Sequence, residues 1–210
     1  TFLTIYIHIY KLSPEIKTAL GELAPSQSVY PSIPVKAGDV LGRGNAVDFS
    51  VHDEDAFLTG FIVPEHYARE PWKIHTVDPF DYFVEPVKSQ LLAKSLRIEK
   101  PYFGKIDHDI DGTLSGSWFV EGTNGYQGVK EPDYWGTHVS FSPDMLDSAH
   151  FIVSLGDFNG QALQFGAKSN SPKPEDVSVG TGLVKYELYN YGYKIGSSGA
   201  YWDHIALAQG

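Results

Sequence analysis

The chain has no cysteine. That excludes disulfides, thiolate zinc sites and thiol nucleophiles, and favours neither a reducing nor an oxidising compartment. It has no apolar run near the roughly 20 residues that a membrane-spanning helix needs, and no basic-then-apolar lead, so no membrane partner is expected. Cations are few: 16 Lys and Arg stand against 26 Asp and Glu, a formal charge of -10, and no basic cluster interrupts that balance. Such a surface repels phosphate backbones, which removes nucleic acid from the candidate partners. Also missing are a Gly-x-Ser-x-Gly elbow, a P-loop and a dinucleotide fingerprint. The commonest serine-hydrolase and nucleotide-enzyme readings fall with them, and no cofactor is called for.

What the 210 residues do have is apolar and aromatic mass, 42% apolar with 12 Phe, 13 Tyr and 4 Trp, the composition of an ordered globular chain. TFLTIYIHIY at residues 1–10 sets Leu3, Ile5, Ile7 and Ile9 against Thr4, Tyr6, His8 and Tyr10, a period of two that predicts a strand. Because that strand begins at once, the chain reads as starting inside a domain, with an open edge on which another subunit could pair as a homo-oligomer. SPEIKTAL then offers Ser13 as an N-cap, Pro14 at the first helical position, Glu15 in the first turn, and Ile16 and Leu20 one turn apart. That predicts a short helix ending near Gly21.

Residues 25–34 read as a Ser/Pro loop, and Val40 and Leu41 as a short strand among Gly38, Gly42 and Gly44. VDFSV at 47–51 predicts a strand with Val47, Phe49 and Val51 on one face and Asp48, Ser50 and His52 on the other. Pro64, Pro71 and Pro79 break up the aromatic stretch 57–83. EPVKSQLLAKSLR carries Val87, Leu91, Leu92 and Leu96 at helical spacing, and this helix marks a module boundary near residue 100. Beyond it, SGSWFVEG, THVSFSP, AHFIVSLGD, QALQFGAKS and GLVKYELYNYG are short strand-like runs separated by turn residues, the pattern of a small antiparallel β sandwich or barrel. The fold expected is mainly β in two modules, 1–100 ending in a helix and 101–210.

Three segments, TIYIHIYKLSPEI, VKAGDVLGRGN and AVDFSVHD, carry a resemblance. In order and spacing they are similar to the catalytic core of the lysostaphin-type (M23) peptidase family, with its Tyr-x-His-Leu-like first strand, its V-x-x-GD-x-(I/L)-G turn and its His-x-His strand. The likeness spans roughly the first 55 residues, about a quarter of the chain. It implies an M23-like, strand-rich first module with a substrate groove. His8 matches the family's first-strand histidine, but Ala46 and Asp48 occupy the His-x-His positions, and nothing precedes Thr1 to carry the His-x-x-x-Asp segment. A three-ligand zinc site cannot be assembled there, so the resemblance implies a degenerate metallopeptidase groove without its metal, and no metal ligand is assigned.

Within that groove His8 and Asp48 form the first chemical candidate, an imidazole oriented by a carboxylate and so an acid/base pair. His52 precedes Asp53, Glu54 and Asp55 in what reads as an acidic loop just past the strand, and His75 stands three residues before Asp78 as a turn cap; either histidine can assist the pair. Trp72 and Tyr82, with Tyr67, offer a wall for sugar stacking. Trp135 is one of many aromatics in the second module, with Trp118, Tyr134, Tyr186, Tyr189, Tyr191, Tyr193, Tyr201 and Trp202. Asp107, His108, Asp109 and Asp111 read as a solvated turn into Gly112. Two functions follow from these residues. One is a hydrolase with His8, Asp48, His52 and His75 as catalytic residues. The other is a non-catalytic module that binds a small molecule, glycan or cell-envelope polymer through Trp72, Tyr82 and Trp135. The hydrolase still requires a nucleophile and an oxyanion site, and no motif supplies them.

Overall fold

The fold comes from a computed structural model that describes residues 1–195 and 202–206 apart from 46, 98, 124, 128–133 and 170; for 127, 134, 190–195 and 202–206 only the backbone course is described. Ala46 and Tyr201 therefore lie outside the described residues, as do the side chains of Tyr134, Tyr191, Tyr193 and Trp202.

The N-terminal alternation forms strand β1, Phe2–Ile7, and stops there because His8 takes a φ of 67°, a left-handed conformation that no strand continues through. The ten-residue strand expected is therefore only six residues long, and the next strand, β2, Lys11–Leu12, begins just past it. Helix α1, Pro14–Leu20, follows its cues: the Ser13 hydroxyl accepts from the Ile16 amide at 3.3 Å, and Gly21 ends the helix at φ 70°. Strand β3, Gly42–Arg43, pairs with β2 and lies just after the Val40-Leu41 position expected.

Strand β4, Asp48–Asp53, reaches two residues past Val51 and so contains His52. It is the middle strand of a three-stranded antiparallel sheet, between β1 and a short β5, Thr76–Val77. The register sets Ile7 opposite Asp48, Ile5 opposite Ser50 and Thr76 opposite His52. Between β4 and β5 the prolines do more than interrupt. Pro64, Pro71 and Pro79 each open a 3-10 turn, Pro64–Tyr67, Pro71–His75 and Pro79–Tyr82, where a first residue without an N–H costs nothing.

Helix α2, Val87–Leu92, is much shorter than the pattern predicted. Its apolar stripe finds little cover, since Val87 and Leu96 are both more than two-fifths exposed, and a helix this short has little stability of its own. The chain turns at 93–95 and leads Arg97 inward instead.

The remaining strands are β6, Gly116–Phe119; β7, His138–Pro143; β8, Phe151–Phe158; β9, Gln161–Ala167; β10, Leu188–Ile195; and β11, Trp202–Ala206. They form one six-stranded antiparallel meander in chain order. Asn159 and Gly160, both at positive φ (55° and 83°), make the tight β8–β9 hairpin that matches strand twist. Phe151, Val153 and Ala167 are buried in the sheet with Val139, Phe141, Leu155 and Tyr186 packed against them. The chain is mainly β as expected, but of the sandwich or barrel expected the barrel is not formed, since among the described residues the sheet does not close. Just ahead of β6, the Leu114 amide bonds the Val177 carbonyl at 2.8 Å and Thr113 bridges Ser178, so the 177–178 segment meets the chain there. Among the described residues no helix is long and apolar enough to cross a membrane.

Of the acidic run at 107–111, expected as a solvated turn into Gly112, Asp111 is indeed exposed in a turn, but Asp107 and Asp109 are placed otherwise. Asp107 is buried, its carboxylate accepting from the Gly60 amide at 2.9 Å, and Asp109 accepts from the amides of Ser117 at 2.9 Å and Ile62 at 3.2 Å. The Gly60 carbonyl accepts from the Asp109 amide at 3.0 Å. Backbone amides here replace the water that a carboxylate otherwise requires, so these acids join chain segments instead of facing solvent.

Candidate functional site

Residues two apart on a strand share a face, and β4 uses this to set Ser50 beside His52. The Ser50 hydroxyl lies 2.8 Å from His52 Nε2. On the other side of the ring, Nδ1 is 2.7 Å from the Trp72 carbonyl, held there by the 3-10 turn Pro71–His75. A carbonyl only accepts, so the ring proton sits on Nδ1 and Nε2 presents a lone pair to the serine O–H. Thr76 on β5 agrees with that tautomer. Its hydroxyl donates to the Lys73 carbonyl at 2.9 Å, leaving oxygen lone pairs 3.3 Å from Nδ1.

His52 is 5% exposed, far from the acidic loop residue expected, because β4 is paired on both sides and the Trp72 turn covers the ring. Burial is the main force lowering its pKa, with Lys73 and His75 pushing the same way and the Trp72 carbonyl opposing them. The imidazole is thereby kept neutral, the state in which it can take a proton. Ser50 is half-buried and lines a cavity of about 440 Å³ whose wall includes Leu58, Thr76, Arg97, Tyr102 and Lys105. A hydroxyl, an imidazole with its lone pair turned to it and an orienting acceptor thus lie next to a space that a small organic molecule can fill, the arrangement that a nucleophile and base would need.

The other expected residues lie apart from this group. His8 Nε2 is 3.5 Å from Asp48 Oδ2, so the two do meet, but their side chains are 63% and 73% exposed and they line neither this cavity nor those of about 460 and 590 Å³ elsewhere among the described residues. His75 gives its Nδ1 to the Ala56 carbonyl at 2.6 Å and packs edge-on against Phe57, fastening the chain ahead of the dyad. Asp78 caps the Phe80 amide at 2.8 Å. The three aromatics occupy three settings. Trp72 holds the dyad through its backbone, Tyr82 stacks on Phe2 at 4.8 Å, and Trp135 lines a second cavity of about 590 Å³. That cavity also carries Tyr67, Phe119, Tyr126 and His138, with Lys73 Nζ 4.7 Å from the Tyr126 ring centre. Burial pushes the Tyr67 hydroxyl up to about 12. Among the described residues no three His, Cys, Asp or Glu side chains converge as a metal-ligand set.

Ser50 is the residue that sequence reasoning missed as chemistry. Its face was legible from the alternation of VDFSV, but the hydroxyl–imidazole contact follows only once His52 is known to be inside the strand. Comparisons with protein-family models, with curated proteins and with solved structures find no match to this chain.

Proposed function

We propose that the protein is a serine-type hydrolase of small esters or amides, with Ser50 as nucleophile and His52 as general base. The observation that carries this is the unbroken line from Ser50 Oγ to His52 Nε2 at 2.8 Å and from His52 Nδ1 to the Trp72 carbonyl at 2.7 Å. Nucleophile, base and orienting group are three of the parts that the serine-histidine mechanism uses beside an oxyanion site, and the third of them need not be a carboxylate so long as it fixes the tautomer. Ser50 Oγ attacks the substrate carbonyl carbon while its proton passes to Nε2. The tetrahedral adduct collapses, the C–O or C–N bond breaks, and the leaving alcohol or amine takes the proton from Nε2–H. Water then repeats the sequence on the acyl-Ser50 ester, with His52 again as base, and releases the acid. From the M23-like resemblance this function keeps only the idea of a groove, taken here as the cavity beside the β4–β5 pair, without the zinc chemistry.

Active-site serines are phosphonylated by fluorophosphonates at rates that depend on their base. Peptide mass spectrometry should find the adduct on Ser50, absent from Ser50→Ala and greatly slowed in His52→Asn. Stoichiometric labelling at another serine, or equal labelling with and without His52, would overturn the assignment.

The cavity of about 590 Å³ supports a second reading, binding of a glycan or other ring-bearing ligand without turnover, because it offers several aromatic faces including Trp135. Retention on insoluble polysaccharide that weakens in Trp135→Ala would support it, and equal retention of both proteins would count against it.

A further inference from the structure

Arg97 is 8% exposed and lines the same cavity as Ser50. Its donors go to carbonyl oxygens: Nε to Pro101 at 2.7 Å, and Nη1 to Met145 at 2.8 Å and Asp144 at 3.4 Å. Among the described residues no carboxylate comes within ion-pair distance of it, and Nη2 has no partner. The nearby acids are committed elsewhere. Asp107 holds the Gly60 amide and lies 3.9 Å from Lys105 Nζ, and Asp144 caps the amides of Leu146 at 2.9 Å and Asp147 at 2.8 Å. Lys105 and Asp107, both on the cavity wall, offset one another, so one positive charge remains beside an otherwise mostly apolar space.

A guanidinium keeps its charge when buried, and an uncompensated buried charge is among the costliest groups that a fold can carry. Carbonyl dipoles soften that cost, but an anion would balance it. Resting on the Ser50–His52 hydrolase reading, we propose that the substrate is a carboxylate-bearing ester or amide, its apolar body filling the cavity and its carboxylate held on Arg97 Nη2. Carboxylate is favoured over phosphate because Nη2 offers just two N–H groups, enough for a planar monoanion but few for a dianionic phosphate. The same chemistry orients the scissile carbonyl, since a substrate tethered at Arg97 reaches Ser50 from a fixed point on the same wall.

The test uses the full chain carrying Ser50→Ala, so that binding is read without turnover. Hexanoate and hexanamide share length and apolar body and differ in charge, and titration calorimetry compares them. Hexanoate is expected to bind at least about tenfold tighter, the least that a desolvated charge-assisted pair should give. Adding Arg97→Lys should retain part of that preference and Arg97→Met should abolish it. Equal affinity of hexanoate and hexanamide for Ser50→Ala overturns the proposal, and needs no Arg97 variant to fold. Tighter binding of pentyl phosphate than of hexanoate would overturn the carboxylate assignment. A protein that prefers hexanoate but shows no fluorophosphonate adduct at Ser50 would keep the anion site and lose the hydrolase. One that hydrolyses p-nitrophenyl hexanoate yet shows no hexanoate preference would do the reverse.

Discussion

If Ser50 and His52 act as one unit, their replacements should be non-additive in rate but very unequal in stability. Ser50→Ala removes one neutral hydrogen bond, of 2.8 Å, on the cavity side of the ring, where water can replace it. A net loss of about 1 kcal/mol is expected, or a fall of roughly 2–4 °C in melting temperature for a chain of this size. His52→Ala is a different perturbation. It empties the space of a ring only 5% exposed and leaves the Trp72 carbonyl without its 2.7 Å donor. A buried aromatic-sized truncation with an orphaned carbonyl costs about 3–5 kcal/mol. His52→Asn should recover part of this, because an amide N–H can return to the Trp72 carbonyl, yet it supplies no base. The assay pairs urea denaturation with hydrolysis of p-nitrophenyl hexanoate by Ser50→Ala, His52→Asn and the double variant. Each single change should lower kcat/KM by about 10²–10⁴-fold, and the double variant by no more than the worse single. Multiplicative losses in the double variant, or a folded His52→Asn protein with undiminished turnover, would refute the dyad. Equal stability costs for Ser50→Ala and His52→Ala would refute the claim that the imidazole is a packed internal group.

Three further outcomes follow from the same structure. His52, His108 and His138 all have pKa values lowered below 6.5, burial being the largest cause in each. The unfolded chain then binds more protons than the folded one at mildly acidic pH, so the stability they contribute is complete above about 6.5 and is lost as pH falls from there through the folded values. Chemical denaturation as a function of pH should show this decline, and the acid limb of kcat/KM should lie below pH 6.5; a limb above 6.5 would contradict a buried, neutral His52. Gly60→Ala should destabilise by about 3–5 kcal/mol, because a Cβ there would meet the Asp107 backbone carbonyl and lie 2.5 Å from its Oδ2, breaking the Gly60–Asp107 and Gly60–Asp109 bonds. A urea midpoint within error of the parent would show that this junction yields more easily than its geometry implies. Ser13→Ala should cost about 1 kcal/mol through loss of the cap on Ile16, readable by thermal melting, while Ser13→Gly should cost only a few tenths of that.

The parts of this molecule legible in the sequence are those fixed by neighbours along the chain. Ser13, Pro14 and Gly21 delimit a helix by their own backbone and side-chain preferences, and the alternation in 138–143 and the short apolar run in 151–155 mark strands. The site is built the other way, by backbone groups distant in sequence reaching polar side chains. His52 reads as the start of an acidic loop because Asp53, Glu54 and Asp55 follow it; what buries it is a carbonyl 20 residues away. Arg97 reads as a cation ending a helix, yet it turns inward to carbonyls 47 and 48 residues away. Asp107 reads as solvated and is held by an amide 47 residues away. In each case the hydropathy of the residue points outward, and the hydrogen bonds that reverse it leave no trace in local pattern, since every residue except proline carries the same backbone N–H and C=O. Two residues of this kind, Arg97 and Asp107, line one cavity, and His52 sits one hydrogen bond behind Ser50 on its wall. On the hydrolase reading it is the agreement of these groups in space, an imidazole beside a hydroxyl and a cation on the same wall, that would separate a ligand site from charges that happen to be covered.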